Sequence, residues 1–355
     1  MLVWQGKRVQ APRFGPLIRV SEVDVKTRII SQDEVRRLLP MDACIEVMQE
    51  AFLLLSKGGV TMPLRTVMPL PVGNLFGLMP SMIADKGVFG AKVISVFPGN
   101  HGSPNDSHQG VVLLYETEHG CLQAIVDATA ITGIRTAAVS AVATRALANP
   151  GARTLALIGA GTQARAHLDA MSLLYDLRDI RVWSIVAKES EGFARSESER
   201  TGLDISSSLT AEKAVEGADL ICTVTAAREP VLRGRWIKAG AHINAIGACT
   251  ASSRELDTEA VLMSRLFVDR IEAAQNEAGD FIIPRNEGAI GDSHIRGELG
   301  DIVSGKVRGR GNPDEITLFK AVGLSMQDMA AAQYVCMRAK EEGLGVDVEL
   351  GGKVF

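Results

Sequence analysis

The stretch LALIGAGTQARAH, residues 155–167, constrains the fold more than any other part of the chain. An apolar run ends abruptly in glycines and restarts as a polar, alanine-rich segment, the pattern of a buried strand, a tight turn and a helix. Gly159-x-Gly161-x-x-Ala164 has the dinucleotide-binding spacing in the form that takes alanine at the third position. Gly159 permits the turn, Gly161 leaves the backbone open to a pyrophosphate, and Ala164 lets the helix pack closely on the sheet. Thr162 and Gln163 open the helix, whose free N–H groups and dipole favour an anion. Such spacing can also serve packing alone, so the surroundings decide.

Strand-like segments at 154–158, 180–186, 203–206, 219–224, 241–247 and 265–269 alternate with helical segments near 163–175, 189–201, 209–216 and 254–264. That rhythm predicts an α/β, Rossmann-type, doubly wound parallel sheet, and the glycine turn placed between its first strand and helix predicts a bound dinucleotide. An acidic residue ending the second strand would select NAD(H), but the segment reads WSIVAK, 183–188, without one. Ser184 as a donor and Lys188 as a cation favour NADP(H), with NAD(H) possible. Lys188 also reads as a solvated lysine at a helix start.

The rest of the chain has a different rhythm. Ser31 and Glu34 fit a capping box, and a second helix runs from near Asp42 to Gly58. Strands are expected at 65–69, 76–81, 87–97, 110–115 and 121–127, preceded by an irregular start with alternation over 18–30. A small-residue helix follows at 128–148, and residues 319–342 read as one long helix.

At 355 residues, two domains are expected. The net charge of −4, without a basic run, and the 5% aromatic content argue against a nucleic-acid partner. No apolar run approaches the roughly 18 residues of a membrane span, and no signal sequence is evident. Five scattered cysteines without a C-x-x-C pair suggest neither a disulfide framework nor a zinc site, so the expected location is cytoplasmic. His101 and His108 make a poor metal pair, and no metal is expected.

Three cations stand out. Arg65 follows MPL, Lys92 interrupts the apolar strand GAKVIS, and Arg135 sits in the small-residue helix segment TGIRTAA. Any one of them alone reads as a strand edge or a salt bridge. Together, with no acid interleaved in sequence, they read as a receptor for an anionic group.

At this point the chain resembles the ornithine cyclodeaminase/μ-crystallin family. The matching segments are MPLR (62–65), GAKVISVFPGN (90–100), ITGIRTAAVSA (131–141), LALIGAGTQARAHLDAM (155–171), AHINAIGA (241–248) and LFKAVGLSMQD (318–328). The resemblance implies a homodimer whose α+β substrate-binding and dimerisation domain comprises residues 1–148 and 322–355. The dinucleotide-binding domain would be 149–321. It also implies that Arg65, Lys92 and Arg135 surround a substrate carboxylate and imino nitrogen, with Lys92 and Arg135 catalytic. Gln163 would lie on the pyrophosphate, and Thr225, Asn244 and Ile246 would line the nucleotide site. Ser107 and Thr136 would stand near the nicotinamide end and the phosphates.

One departure bears on the reaction. In the cyclodeaminases an aspartate follows the INAxG-type strand; here Cys249 or a neighbour takes that place, and no carboxylate appears until Glu255. Cyclodeamination needs a base, whereas hydride addition to a preformed iminium needs geometry and charge stabilisation. The expectation is therefore an NAD(P)H-dependent reductase of cyclic or simple α-imino acids, of the Δ1-pyrroline-2-carboxylate or Δ1-piperideine-2-carboxylate type. The alternatives are an ornithine or lysine cyclodeaminase, an alanine- or opine-type dehydrogenase, and a non-catalytic cofactor-binding protein. Cys249 itself reads as a small buried residue.

Overall fold

A computed structural model describes residues 26–100 and 102–350, arranged around two eight-stranded sheets. The first contains β1 (Lys26–Ile30), β2 (Val60–Thr61), β3 (Thr66–Pro69), β4 (Leu75–Ile83), β5 (Val88–Val96), β6 (His108–Glu116) and β7 (Leu122–Asp127). Strands β4 to β7 form an antiparallel meander, β2 and β3 both pair with β4, and β1 lies parallel to β7.

The second sheet contains β8 (Thr154–Ile158), β9 (Asp179–Trp183), β10 (Ile205–Ser207), β11 (Leu220–Thr223), β12 (His242–Ala245), β13 (Arg265–Val268), β14 (Ile295–Glu298) and β15 (Thr317–Lys320). All its strands are parallel, in the order β10-β9-β8-β11-β12-β15-β13-β14. The order reverses direction at β8, the doubly wound arrangement that opens a crevice at the strand C-termini. A last strand, β16 (Val346–Glu349), returns the chain to β1.

The helices are α1 (Gln32–Leu38), α2 (Met41–Ser56), α3 (Ala128–Leu147), α4 (Thr162–Leu174), α5 (Ala187–Thr201), α6 (Ala211–Val215), α7 (Thr258–Leu262), α8 (Ile271–Glu277), α9 (Gly279–Asn286), α10 (Leu299–Val303) and α11 (Ser325–Glu342). Helix α3 joins the two halves. Asp127 caps it by accepting from the Ala130 N–H at 2.7 Å, and it packs on β6 and α2 on one side and on α4 and β12 on the other. Contact on all sides explains its small residues: Ala137, Ala138, Ala141 and Ala143 are fully buried.

The single helix expected at 319–342 is instead a strand, a turn and a helix. Phe319 is paired with both β12 and β13 and fully buried, so it belongs to the centre of the sheet. Gly323, at φ +80°, breaks the chain before α11 begins. Residues 18–25 of the expected alternating segment lie outside the described residues.

Candidate functional site

The β5 pleat turns Lys92 to the inner face of the first sheet, where α3 and α11 pack. Its side chain is 3% exposed, and its Nζ donates to Thr132 Oγ1 at 2.8 Å and to Asp328 Oδ1 at 3.3 Å. Arg135 Nε donates to the same Asp328 oxygen at 3.0 Å, and Nη1 donates to Gln327 Oε1. Burial, opposed by Asp328 and reinforced by Arg135 and Arg65, lowers the Lys92 pKa to about 8. Burial and Lys92 together also lower that of His108, at the start of β6.

Arg65 reaches the cluster from the segment before β3. Its Nη2 donates to the carbonyls of Val322 and Gly323, each at 2.7 Å, and pairs with Glu277 at 2.8 Å. A Cβ on Gly323 would stand 3.0 Å from Arg135 Nη1, so both arginines converge on this glycine. A pocket beside them is lined by Met62, Leu64, Arg65, Met79, Glu277 and Leu324, among others. The three cations come together, and two acids distant in sequence, Asp328 and Glu277, accompany them. Burying such cations without counter-charges would be prohibitive.

The glycine turn forms between β8 and α4. Gly159 has φ +118°, and a Cβ there would stand 2.9 Å from the Val224 carbonyl. A Cβ on Gly161 would meet nothing within 4 Å. Gly161 caps α4 without a side-chain hydrogen bond, and no acid occupies the first turn. Ala164 is fully buried. Open space over uncapped N–H groups fits a dinucleotide pyrophosphate. Gln163 Nε2 lies 3.4 Å from the Thr132 carbonyl, while its Oε1 is buried with no hydrogen-bond partner. Thr136, one turn further along α3, donates to that carbonyl at 2.7 Å.

At the tip of β9, Ser184 Oγ donates to Glu189 Oε2 at 2.9 Å, and Lys188 is exposed. A carboxylate absent from the strand end is thus brought back to it by the first turn of α5. Glu255 is fully buried and accepts from Thr223 Oγ1, Thr225 N and Oγ1, and Gly247 N. It ties the tips of β11 and β12 together, and its commitment to four donors takes it out of contention as a substrate base. Ile246 is 6% exposed beside this tie. Asn244 is fully buried and donates to Thr144 on α3 at 2.8 Å; it has no exposed surface to offer a nucleotide.

Ser107 pairs with His108 Nδ1 at 3.0 Å. Cys249 donates to the Ile246 carbonyl, and burial, against the pull of Lys320 and Arg65, raises its pKa, which keeps the thiol protonated. Among the described residues no group of His, Cys, Asp and Glu could hold a metal; His101 lies outside them.

Sequence reasoning missed Asp328, Gln327, Glu277, Asp269 and Glu189. Asp269 accepts from the N–H groups of Val322 and Gly323 at 2.9 and 2.8 Å, fixing the carbonyls that Arg65 grips. The one available signal was SMQD at 325–328, a polar pair inside an otherwise apolar helix start.

Comparison with known proteins places the chain in a family. Rat ketimine reductase mu-crystallin is 37% identical over 314 residues, covering 86% of this chain and 95% of the relative. The structure of Thermococcus litoralis Δ1-pyrroline-2-carboxylate reductase in complex with NADH and L-proline is 38% identical. It covers 91% of this chain and 100% of its own, with a TM-score of 0.89. An archaeal alanine dehydrogenase dimer with bound NAD is 30% identical over 93% of this chain and 100% of its own, with a TM-score of 0.86. The sequence pattern of the ornithine cyclodeaminase/mu-crystallin family matches residues 25–343, and the chain belongs to that family.

Proposed function

We propose that the protein is an NAD(P)H-dependent reductase of small cyclic or simple α-imino acids, of the Δ1-pyrroline-2-carboxylate or Δ1-piperideine-2-carboxylate type. One observation carries this reading: Thr132 receives Lys92 on its hydroxyl and Gln163, from the glycine-turn helix, on its carbonyl. A proton-bearing lysine and the dinucleotide turn therefore meet at one residue of α3.

Arg135 and Arg65 would hold the substrate carboxylate. Lys92, with a pKa near 8, keeps a proton at neutral pH and would give it to the imine nitrogen. Thr132 Oγ1 donates its own proton to the Ala128 carbonyl at 2.6 Å and so meets Lys92 as an acceptor, which orients the ammonium. A bound dinucleotide supplies the hydride for the adjacent carbon. The protonated nitrogen thereby becomes the amine of an L-amino acid, and solvent restores the lysine proton. Gly159, Gly161, Thr162, Gln163 and Ala164 would hold the pyrophosphate, with Thr225, Ile246, Thr136 and Ser107 around the rest of the cofactor.

For the coenzyme, Lys188 favours NADP(H), while Glu189 on the Ser184 hydroxyl opposes a 2′-phosphate; NADP(H) remains the first expectation and NAD(H) the second. The two sheets of the described residues support a division of 1–148 with 322–355 against 149–321. A homodimer is supported by the outer face of the first sheet, where Met68, Phe76 and Leu78 are exposed. Among the described residues no helix is long and apolar enough to cross a membrane, and a cytoplasmic location is supported by five cysteines that form no disulfide.

Cyclodeamination is the second reading. Glu277 favours it as a carboxylate in the pocket whose pKa is raised by burial, against Arg65. Incubation with NADPH or NADH and a panel of cyclic imines, followed at the nicotinamide absorbance, separates the two. Imine-dependent oxidation is expected; ammonia release from ornithine without net cofactor change would instead establish the cyclodeaminase.

A further inference from the structure

Two cations from distant parts of the chain share a single carboxylate oxygen. Asp328 lies in the first turn of α11 and is fully buried. Its Oδ1 accepts from Arg135 Nε and from Lys92 Nζ, while Oδ2 is buried without a hydrogen-bond partner. Gln327, next to it, holds the other side of the Arg135 guanidinium, and its own Nε2 is also unpartnered. Structural ion pairs usually satisfy both carboxylate oxygens when they are buried this deeply. Here the polar capacity left over borders the groups assigned to substrate.

We propose that Asp328 is a positioning residue that makes Lys92 a proton donor and fixes its distance from Arg135, so that substrate carboxylate and imine nitrogen are addressed as one unit. The assignment rests on the imino-acid reductase reading. Its physical basis is the charge balance around Lys92. Arg135 on α3, Arg65 before β3 and His108 on β6 face it with positive or potentially positive charge. Asp328 on α11 is the opposing carboxylate, and Glu277 lies one step away on Arg65. Burial and two arginines push the proton off Lys92; Asp328 is the group that holds it on. With Lys92 and Arg135 charged, Asp328 leaves one net positive charge, which a monoanionic substrate neutralises. A ligand carboxylate therefore strengthens the hold on the Lys92 proton until the imine takes it.

The test is Asp328→Asn, which keeps the shape and an acceptor oxygen but removes the charge. Lys92 protonation is read without substrate, by acetic anhydride labelling against pH with mass-spectrometric quantification. The midpoint is expected to fall by about one pH unit or more, a tenfold change in proton affinity. The descending limb of kcat/KM for imine reduction should move down with it, while dinucleotide affinity stays within about threefold. An unmoved Lys92 midpoint in the folded variant overturns the proposal, as does a moved midpoint with an unmoved kcat/KM limb. If the unmodified enzyme reduces no imine, the reductase reading falls, and labelling alone decides whether Asp328 governs Lys92. Should Asp328→Asn fail to fold, Asp328→Glu retains the charge and should leave the midpoint within about half a unit of the parent. A shift of a full unit there overturns the assignment.

Discussion

Arg65 and Asp269 grip the same two residues from opposite sides. Asp269 Oδ2 accepts the N–H groups of Val322 and Gly323, and Arg65 Nη2 donates to their carbonyls. Gly323 also lies against the Arg135 guanidinium. The chain between β15 and α11 is thereby a fixed wall of the pocket. Asp269→Ala removes the acceptor from these two N–H groups and from Arg270 N. It is expected to cost about 1–3 kcal/mol of stability through unsatisfied buried donors. Imine KM should rise more than kcat falls. Denaturant unfolding and steady-state kinetics check both parts, and an unaffected KM would show that this wall does not shape the pocket.

Arg135→Ala removes the anchor that shares Asp328 with Lys92 and leaves Gln327 Oε1 without its donor. The loss expected in kcat/KM is roughly 2–5 kcal/mol, with dinucleotide affinity little changed because the hydrogen bonds of Arg135 go to α11. Turnover like that of the parent enzyme would refute the carboxylate role.

These two residues mark what was legible in the sequence. The glycine turn, the strand–helix rhythm after residue 154 and the small-residue helix α3 carry local signals, and the structure forms each of them. Arg135 was found because a charge in an apolar helix is conspicuous. Its partner was not: Asp328 lies 193 residues away from Arg135 and 236 from Lys92. A pairing at that separation leaves no trace in periodicity. Asn244 failed in the opposite sense, since its place on a strand near the cleft says nothing of which face it takes, and it faces α3. The strand β15 was read into the following helix because Phe319, Val322 and Met326 satisfy helical spacing, while only the sheet shows Phe319 between two neighbours.

Coenzyme choice should turn on Glu189. Its bond to Ser184 places a carboxylate where a 2′-phosphate would need a donor. Glu189→Gln is expected to raise kcat/KM for NADPH relative to NADH by about tenfold, and Lys188→Glu to lower the same ratio. Unchanged ratios in both variants would remove the β9 tip from coenzyme selection.

On the outer face of the first sheet, Leu78 is 40% exposed and Phe76 37%, and the stacked rings of Phe89 and Tyr115 lie further along the same face. An apolar sheet face of this kind is expected to be covered by a second copy. Leu78→Asp should convert the dimer to monomer in sedimentation velocity at micromolar concentration while the far-ultraviolet spectrum is retained. A parent chain that sediments as a monomer would retire the dimer expectation.

Acid should destabilise the protein through His167. Its Nδ1 lies 2.7 Å from the Gln163 carbonyl and its Nε2 2.8 Å from Ser140 Oγ, bridging α4 to α3 with no exposed surface. Burial pushes its pKa from 6.5 to about 4, outweighing the hydrogen bond to Gln163. The imidazole is therefore neutral in the fold, with Nδ1–H donating to the carbonyl and Nε2 accepting from the hydroxyl. Between the two pKa values the unfolded chain binds the proton and the folded chain does not. Stability from this group is thus fully present above pH 6.5 and declines as pH falls toward 4. His242, held to about 3 by burial and Arg310, adds a second such slope. His167→Gln should lower Tm at neutral pH yet flatten the dependence of unfolding free energy between pH 4.5 and 6 by up to about 1.4 kcal/mol per pH unit, one proton's worth. A slope equal to that of the parent protein would mean that His167 already titrates in the fold, and that the α3–α4 bridge does not depend on a neutral ring.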